Sequence, residues 1–199
     1  PAAQRSSRRG TEPGPMDSVL VKDYEPEVSL VVPETPITKA KLAAIDVHSH
    51  TYARTPEEVS AWVRTMDEAG VELTVVLTGA TGDRFDQMVD LFLTPHPKRF
   101  QVYCGIDTSN FEASDFPQRA AAELERCFRK GARGVGEIID KGSGLSRGSG
   151  PLPRDKRLHP DDPRLDLFWQ KCAELKIPTN LHMADHPSCW RPPDNKQER

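Results

Sequence analysis

From Lys41 onward the apolar residues of this chain fall into two alternating spacings. Leu42–His50 is an apolar lead-in to a strand. Thr55-Pro56-Glu57-Glu58 then reads as a helix start, with an N-cap, proline at the first helical position and glutamate at the capping-box position. Val59, Trp62, Val63 and Met66 follow at i, i+3, i+4, i+7, and Gly70 stops the helix. Val71–Leu77 is β-branched and apolar, the pattern of a strand buried on both faces. The rhythm repeats. A second helix is predicted from Asp83 to Leu93, a third strand over Phe100–Ile106 and a third helix over Ser114–Lys130. A fourth strand is predicted over Ala132–Asp140, a fourth helix over Asp162–Lys176 and a fifth strand over Ile177–Ala184.

Strands alternating with helices of this length predict right-handed βαβ units and an α/β fold on a parallel sheet. Two architectures fit: a doubly wound sheet, or a (β/α)8 barrel of the TIM type. No GxGxxG follows the first strand, which weighs against a dinucleotide-binding doubly wound sheet. Five strands cannot close an eight-stranded barrel, so on the barrel reading roughly three βα units would lie beyond Arg199.

Residues 1–40 break the rhythm. Pro1–Pro15 is rich in Arg, Ser, Gly and Pro and is expected to be a disordered tail. Residues 16–40 carry scattered apolar positions between prolines, as an extended arm would. The domain proper is thus expected over 41–199. The opening on Pro1 and the polar close Asn195–Arg199 are what a fragment or a processed chain would show. A net charge of −3 gives no electrostatic case for nucleic acid or a membrane surface. No apolar run reaches transmembrane length and no secretory apolar segment is present, leaving cytoplasmic and exported locations both open. Cys104, Cys127, Cys172 and Cys189 form no CxxC pair; the first three fall on apolar positions and are expected to be buried thiols.

Chemistry enters through the ends of the strands, where parallel α/β folds build their sites. His48 and His50 are two apart at the end of strand one, so an alternating strand points both the same way, with Asp46. Alone, that pair could be no more than a strand end with two uninvolved histidines. Glu137 lies late in strand four between Gly136 and Ile138, and His182 late in strand five. Three strands therefore bring His48, His50, Glu137 and His182 to one rim, a nitrogen-and-carboxylate set suited to a divalent metal such as zinc. Each has a structural alternative: Glu137 as half of an ion pair, His182 as a hydrogen-bonded core histidine. Asp185, just past strand five, is a candidate substrate contact, and neighbouring His186 reads as a turn residue. His96 and His159 stand beside prolines and read as structural or solvated. The Lys141–Arg157 loop is rich in Gly, Ser and Pro and is expected to shape the entrance.

Asp46-Val47-His48-Ser49-His50, Glu137, the strand Pro178-Thr179-Asn180-Leu181-His182 and the arm Val31-Val32-Pro33 together resemble the amidohydrolase superfamily. Within it, the chain is most similar to the metal-dependent hydrolases of the amidohydrolase-2 group, from Leu30 to its end. The resemblance implies a TIM-type barrel, of which this chain supplies the first five strands and four helices. It implies one or two divalent ions, zinc first among them, with His48 and His50 as strand-one ligands and His182 as the strand-five ligand. Glu137 matches the strand-four position, where members of the superfamily differ. Members complete the site with a histidine late in strand six and a proton-transferring aspartate ending strand eight, both expected beyond Arg199. The implied activity is metal-assisted hydrolysis of a carbonyl-type bond in a small molecule.

Other readings use the same residues. A metal-dependent decarboxylase would have the metal bind the substrate. A TatD-like metal nuclease is suggested by Gly136-Glu137-Ile138, but Ile139-Asp140-Lys141 stands where a Gly-Leu-Asp run is expected. A phosphoesterase of the polymerase-and-histidinol-phosphatase type would need a histidine after strand two, and Leu77-Thr78-Gly79-Ala80 has none. An inactive half-barrel, which could self-associate into a homo-oligomer through its open edges, is the non-enzymatic reading.

Overall fold

The computed structural model describes residues 18–24, 32–33, 35–145, 153 and 156–184. One compact unit, Ile37–Ala184, holds all the elements discussed below. Asp185, His186 and Cys189 lie outside the described residues.

The unit is an α/β fold with strands β1 (Ala44–Ser49), β2 (Val71–Ala80), β3 (Phe100–Cys104), β4 (Val135–Asp140) and β5 (Thr179–Met183). They form one sheet in the order β1-β2-β3-β4-β5, and every pairing is parallel. A doubly wound sheet would reverse its strand order at a switch point; this one never does. Right-handed crossovers in sequential order put all the helices on one face. The sheet also curls. Four strand spacings of about 4.8 Å would hold β1 and β5 about 19 Å apart in a flat sheet. Yet Asn180 Nδ2 on β5 lies 3.4 Å from His48 Nδ1 on β1. The result is a curled half-barrel.

The helices are α1 (Pro56–Ala69), α2 (Gly82–Met88), α3 (Phe116–Lys130) and α4 (Asp166–Leu175). At the start of α1, Thr55 Oγ1 accepts from the Glu58 N–H and Glu58 Oε2 accepts from the Thr55 N–H, closing the expected capping box. At its end Gly70 has φ +78°, a left-handed conformation that favours glycine, and its N–H donates to the Met66 carbonyl. Thr55→Ala removes one half of the box and is expected to cost about 1 kcal/mol, read as a lower urea midpoint with an unchanged slope.

Two predicted helices are each split. The second is α-helical only to Met88 and continues as a π-helical turn over Val89–Leu93, where the Thr94 N–H reaches the Val89 carbonyl. The fourth begins as a 3-10 turn, Pro163–Leu165, capped by the Asp162 side chain on the Arg164 N–H. Phe85, Phe92, Phe100, Phe116 and Phe168 are fully buried between sheet and helices. Trp62 joins Phe92 and Phe100 with ring centroids 6.0 and 5.4 Å away. Cys104, Cys127 and Cys172 are buried free thiols, as expected. The Cys104 contact and burial push the Cys127 thiol up, and burial takes Cys172 to about 12, so both stay protonated and unreactive. The edge strands carry exposed apolar residues: Ile45 and Val47 on β1, Leu181 and Met183 on β5. Among the described residues no helix is long and apolar enough to cross a membrane.

Candidate metal centre

His48 is the penultimate residue of β1 and His50 follows the strand's last residue. Their rings meet edge to face with centroids 5.2 Å apart. They share a side of the sheet, as their two-residue step predicts. The β1–β2 register slips between Asp46 and Ser49, and Asp46 Oδ1 turns to accept the His48 N–H at 3.1 Å. Asp46 thus braces the strand end and is not part of the donor group formed with the histidines. His50 is also backed by an aromatic chain: Tyr52 lies 6.1 Å from it and 6.1 Å from Trp62 of the core.

Glu137 comes from the middle of β4 and reaches both rings. Its Oε1 is 3.7 Å from His48 Nε2 and its Oε2 is 3.8 Å from His50 Nε2. One donor atom from each of the three residues lies within 4.8 Å of the others. His182, on β5, stands behind the carboxylate, with Nδ1 2.9 Å from Glu137 Oε1. An imidazole whose Nδ1–H donates to a carboxylate keeps a lone pair on Nε2, so a ligand role for His182 falls to that atom. The three-residue group is thus His48, His50 and Glu137, and His182 enters as the partner that orients Glu137.

A glycine-dependent contact brings β4 and β5 close enough for this. A Cβ on Gly136 would lie 2.8 Å from Asn180 Cβ, so only glycine lets Asn180 and its neighbour His182 close against β4. The Gly136–Glu137 peptide is cis. Asn180 in turn meets His48 Nδ1 at 3.4 Å. If His48 ligates through Nε2, Nδ1 carries the hydrogen, and a flip of the Asn180 amide presents its oxygen as acceptor.

The side chain of Glu137 is only 10% exposed, and its charged-pair partners among the described residues are all imidazoles. A carboxylate that far from water, with no guanidinium or ammonium beside it, leaves room for a cation. The donor set fits one. Ligands of a small tetrahedral ion lie roughly 3.3 Å from one another, so donors within 4.8 Å of one another need a small closure to hold one.

Three residues past Glu137, Asp140 ends β4 with its side chain 2% exposed. It accepts from the Gly142 N–H at 2.8 Å, the Gly144 N–H at 3.0 Å and meets His159 Nδ1 at 2.5 Å. Burial pushes its carboxyl up, but the His159, Gly144 and Gly142 bonds together outweigh that and hold it below the usual carboxylate range. This staple shapes the start of the loop after β4. The Leu145 N–H then donates to the Leu158 carbonyl, and Leu145 becomes part of the wall of a cavity of about 350 Å³ that also takes in His50, Glu137 and Arg84. The entrance role expected for the Lys141–Arg157 loop is carried here by Leu145; much of that loop lies outside the described residues.

Sequence reasoning did not single out Asn180, Asp140 or Arg84. Asn180 had a usable signal, since it precedes His182 by the same two-residue step that separates His48 from His50. No protein-family model matches this sequence, and no curated protein matches it.

Proposed function

We propose that His48, His50 and Glu137, with His182 as an orienting partner or further ligand, hold a divalent metal, zinc first among the candidates. We propose further that the protein is a metal-dependent hydrolase of the amidohydrolase type acting on a small molecule. The observation that carries the reading is the convergence of two imidazole nitrogens and a nearly buried carboxylate from β1 and β4 at one strand-end rim. Strand-end rims are where parallel α/β enzymes keep their chemistry.

When bound, such an ion supplies Lewis acidity, acidifying water and polarising a carbonyl. The chain's own residues do the rest. Asp46 fixes the backbone of His48, and Tyr52 packs edge-on to His50, so both rings are held before anything binds. His182 keeps Glu137 Oε1 in place. Leu145 and Ile106 add apolar side chains to the wall of the adjoining cavity.

Elemental analysis of the purified chain tests this directly. At least one equivalent of divalent metal per chain is expected, removable by chelation and restored by zinc. A metal-free protein that takes up none overturns the reading, as does full retention after His48→Ala and His182→Ala together. Carbon dioxide release from a panel of carboxylic acids would redirect the activity to decarboxylation on the same site.

A further inference from the structure

Resting on the metal-hydrolase reading, we propose that Arg84 is the specificity-determining residue of this site, anchoring a terminal oxyanion, carboxylate or phosphate, of the bound small molecule. Arg84 lines the same cavity as His50 and Glu137 and is the single lysine or arginine among its described lining residues. The remaining wall is apolar side chains, glycine backbone and threonine hydroxyls. A small neutral substrate would need no guanidinium there; an anionic one would meet a planar donor fork matched to its oxygens.

Its surroundings show a side chain left unused where its neighbours are committed. Arg126 of α3 pairs with Asp86 at 2.7 Å and Glu123 at 2.8 Å, and Lys130 takes the other oxygen of Asp86 at 3.1 Å. Arg84 makes no ion pair among the described residues. The backbone that carries it is nevertheless fixed. The Gly82 N–H donates to Glu123 Oε1 at 2.7 Å, Arg126 Nη2 donates to the Gly82 carbonyl at 3.0 Å, and Phe85 is fully buried. The β2–α2 backbone is therefore tied down by a salt-bridge network, while Arg84, exposed and without an ion pair among the described residues, lines the cavity. A rigid support under an unpaired guanidinium lowers the ordering cost of binding an anion. The cavity volume of about 350 Å³ is at the small end of ligand pockets and suits a compact molecule carrying both a reacting group and an anionic tail.

Calorimetric titration of the zinc-loaded chain with glutarate and with glycerol phosphate, for the parent, Arg84→Gln and Arg84→Lys, tests the assignment. The parent is expected to bind at least one of the two probes. Arg84→Gln should weaken that binding about tenfold or more, and Arg84→Lys should recover part of it. Whichever probe binds more tightly identifies the tail as carboxylate or phosphate. Metal content should be the same in all three proteins. Equal affinity in parent and Arg84→Gln, or no binding of either probe by the parent, overturns the proposal. If the parent holds no zinc, the same titration on chelator-treated protein still decides it. An Arg84-dependent loss there keeps the anion site and discards the metal, whereas no such loss discards both.

Discussion

Replacing Glu137 by glutamine is expected to lower divalent-metal affinity by about a hundredfold or more while leaving the metal-free protein as stable as the parent, or more so. The two halves of this result come from one fact. Glu137 is a carboxylate with only 10% of its side chain exposed, surrounded by His48, His50 and His182. With only imidazoles paired to it among the described residues and no ion, a carboxylate this far from water has no arginine or lysine to offset its desolvation, which weighs against the fold. Glutamine keeps the shape, keeps an acceptor for His182 Nδ1 and removes the charge. It also removes the one anionic donor of the group, and a neutral amide oxygen is a far weaker ligand for zinc. A gain of up to about 1 kcal/mol in the metal-free state is the scale on which relieved functional sites stabilise proteins. Competition against a chromophoric chelator reads the first effect; urea unfolding in EDTA reads the second. A loss of more than about 2 kcal/mol in EDTA would show that Glu137 is a structural group.

That opposition of site and stability also explains which features were legible in the sequence. Local signals transmitted well wherever one residue type satisfies a local need. Thr55-Pro56-Glu57-Glu58 encodes a helix start because its atoms close the capping box within four residues. Gly70 encodes a helix stop because φ +78° favours glycine. The strand series and its parallel character followed from the alternation of periods, but the strand order did not. Period alone cannot separate a sequential, curled sheet from one that reverses, and the choice is made by helix packing against Phe100, Val102 and Val135 in the core. The π-helical turn at Val89–Leu93 carried no warning either, because the apolar positions Met88, Val89 and Phe92 suit an unbroken α-helix equally well.

The site was legible in part. His48, His50, Glu137 and His182 were each placed at strand ends, and the curl of the sheet brings them together. The strand rule could not say that β1 would slip register between Asp46 and Ser49. A register slip between Asp46 and Ser49 is a property of how β1 meets β2, not of β1 alone. Nor could it rank His182 behind Glu137, because that order depends on how closely Gly136 lets β5 approach. Arg84 and Asp140 were hidden for a different reason. Each is one charged residue among many, and only the partners that surround it, or fail to, give it a role.

Asp140 supplies the second large effect. Asp140→Ala is expected to destabilise the protein by about 3–5 kcal/mol, because it strips acceptors from the Gly142 and Gly144 N–H groups and from His159 at a site only 2% exposed. Asp140→Asn should cost less, since an amide oxygen can still accept from one or both glycines. The pH dependence has a definite sign. Folding lowers the Asp140 pKa, so the native state holds the ionised form more tightly than the unfolded chain does. The stabilisation is fully present above the unfolded value, near about 3.9 for a free aspartate, and is lost as pH falls through the lower folded value. The parent's stability should therefore drop more steeply below about pH 4 than that of Asp140→Asn, which no longer takes up this proton. Divalent-metal affinity separates this staple from the proposed metal site. Asp140 makes none of the contacts among His48, His50, Glu137 and His182, so Asp140→Asn should match the parent's divalent-metal affinity while losing stability. A variant that lost zinc in proportion to stability would instead mean that the β4 end and the loop it ties down are one cooperative unit. Glu137 would then be held in place as much by the Gly142–Gly144 turn as by the imidazoles around it.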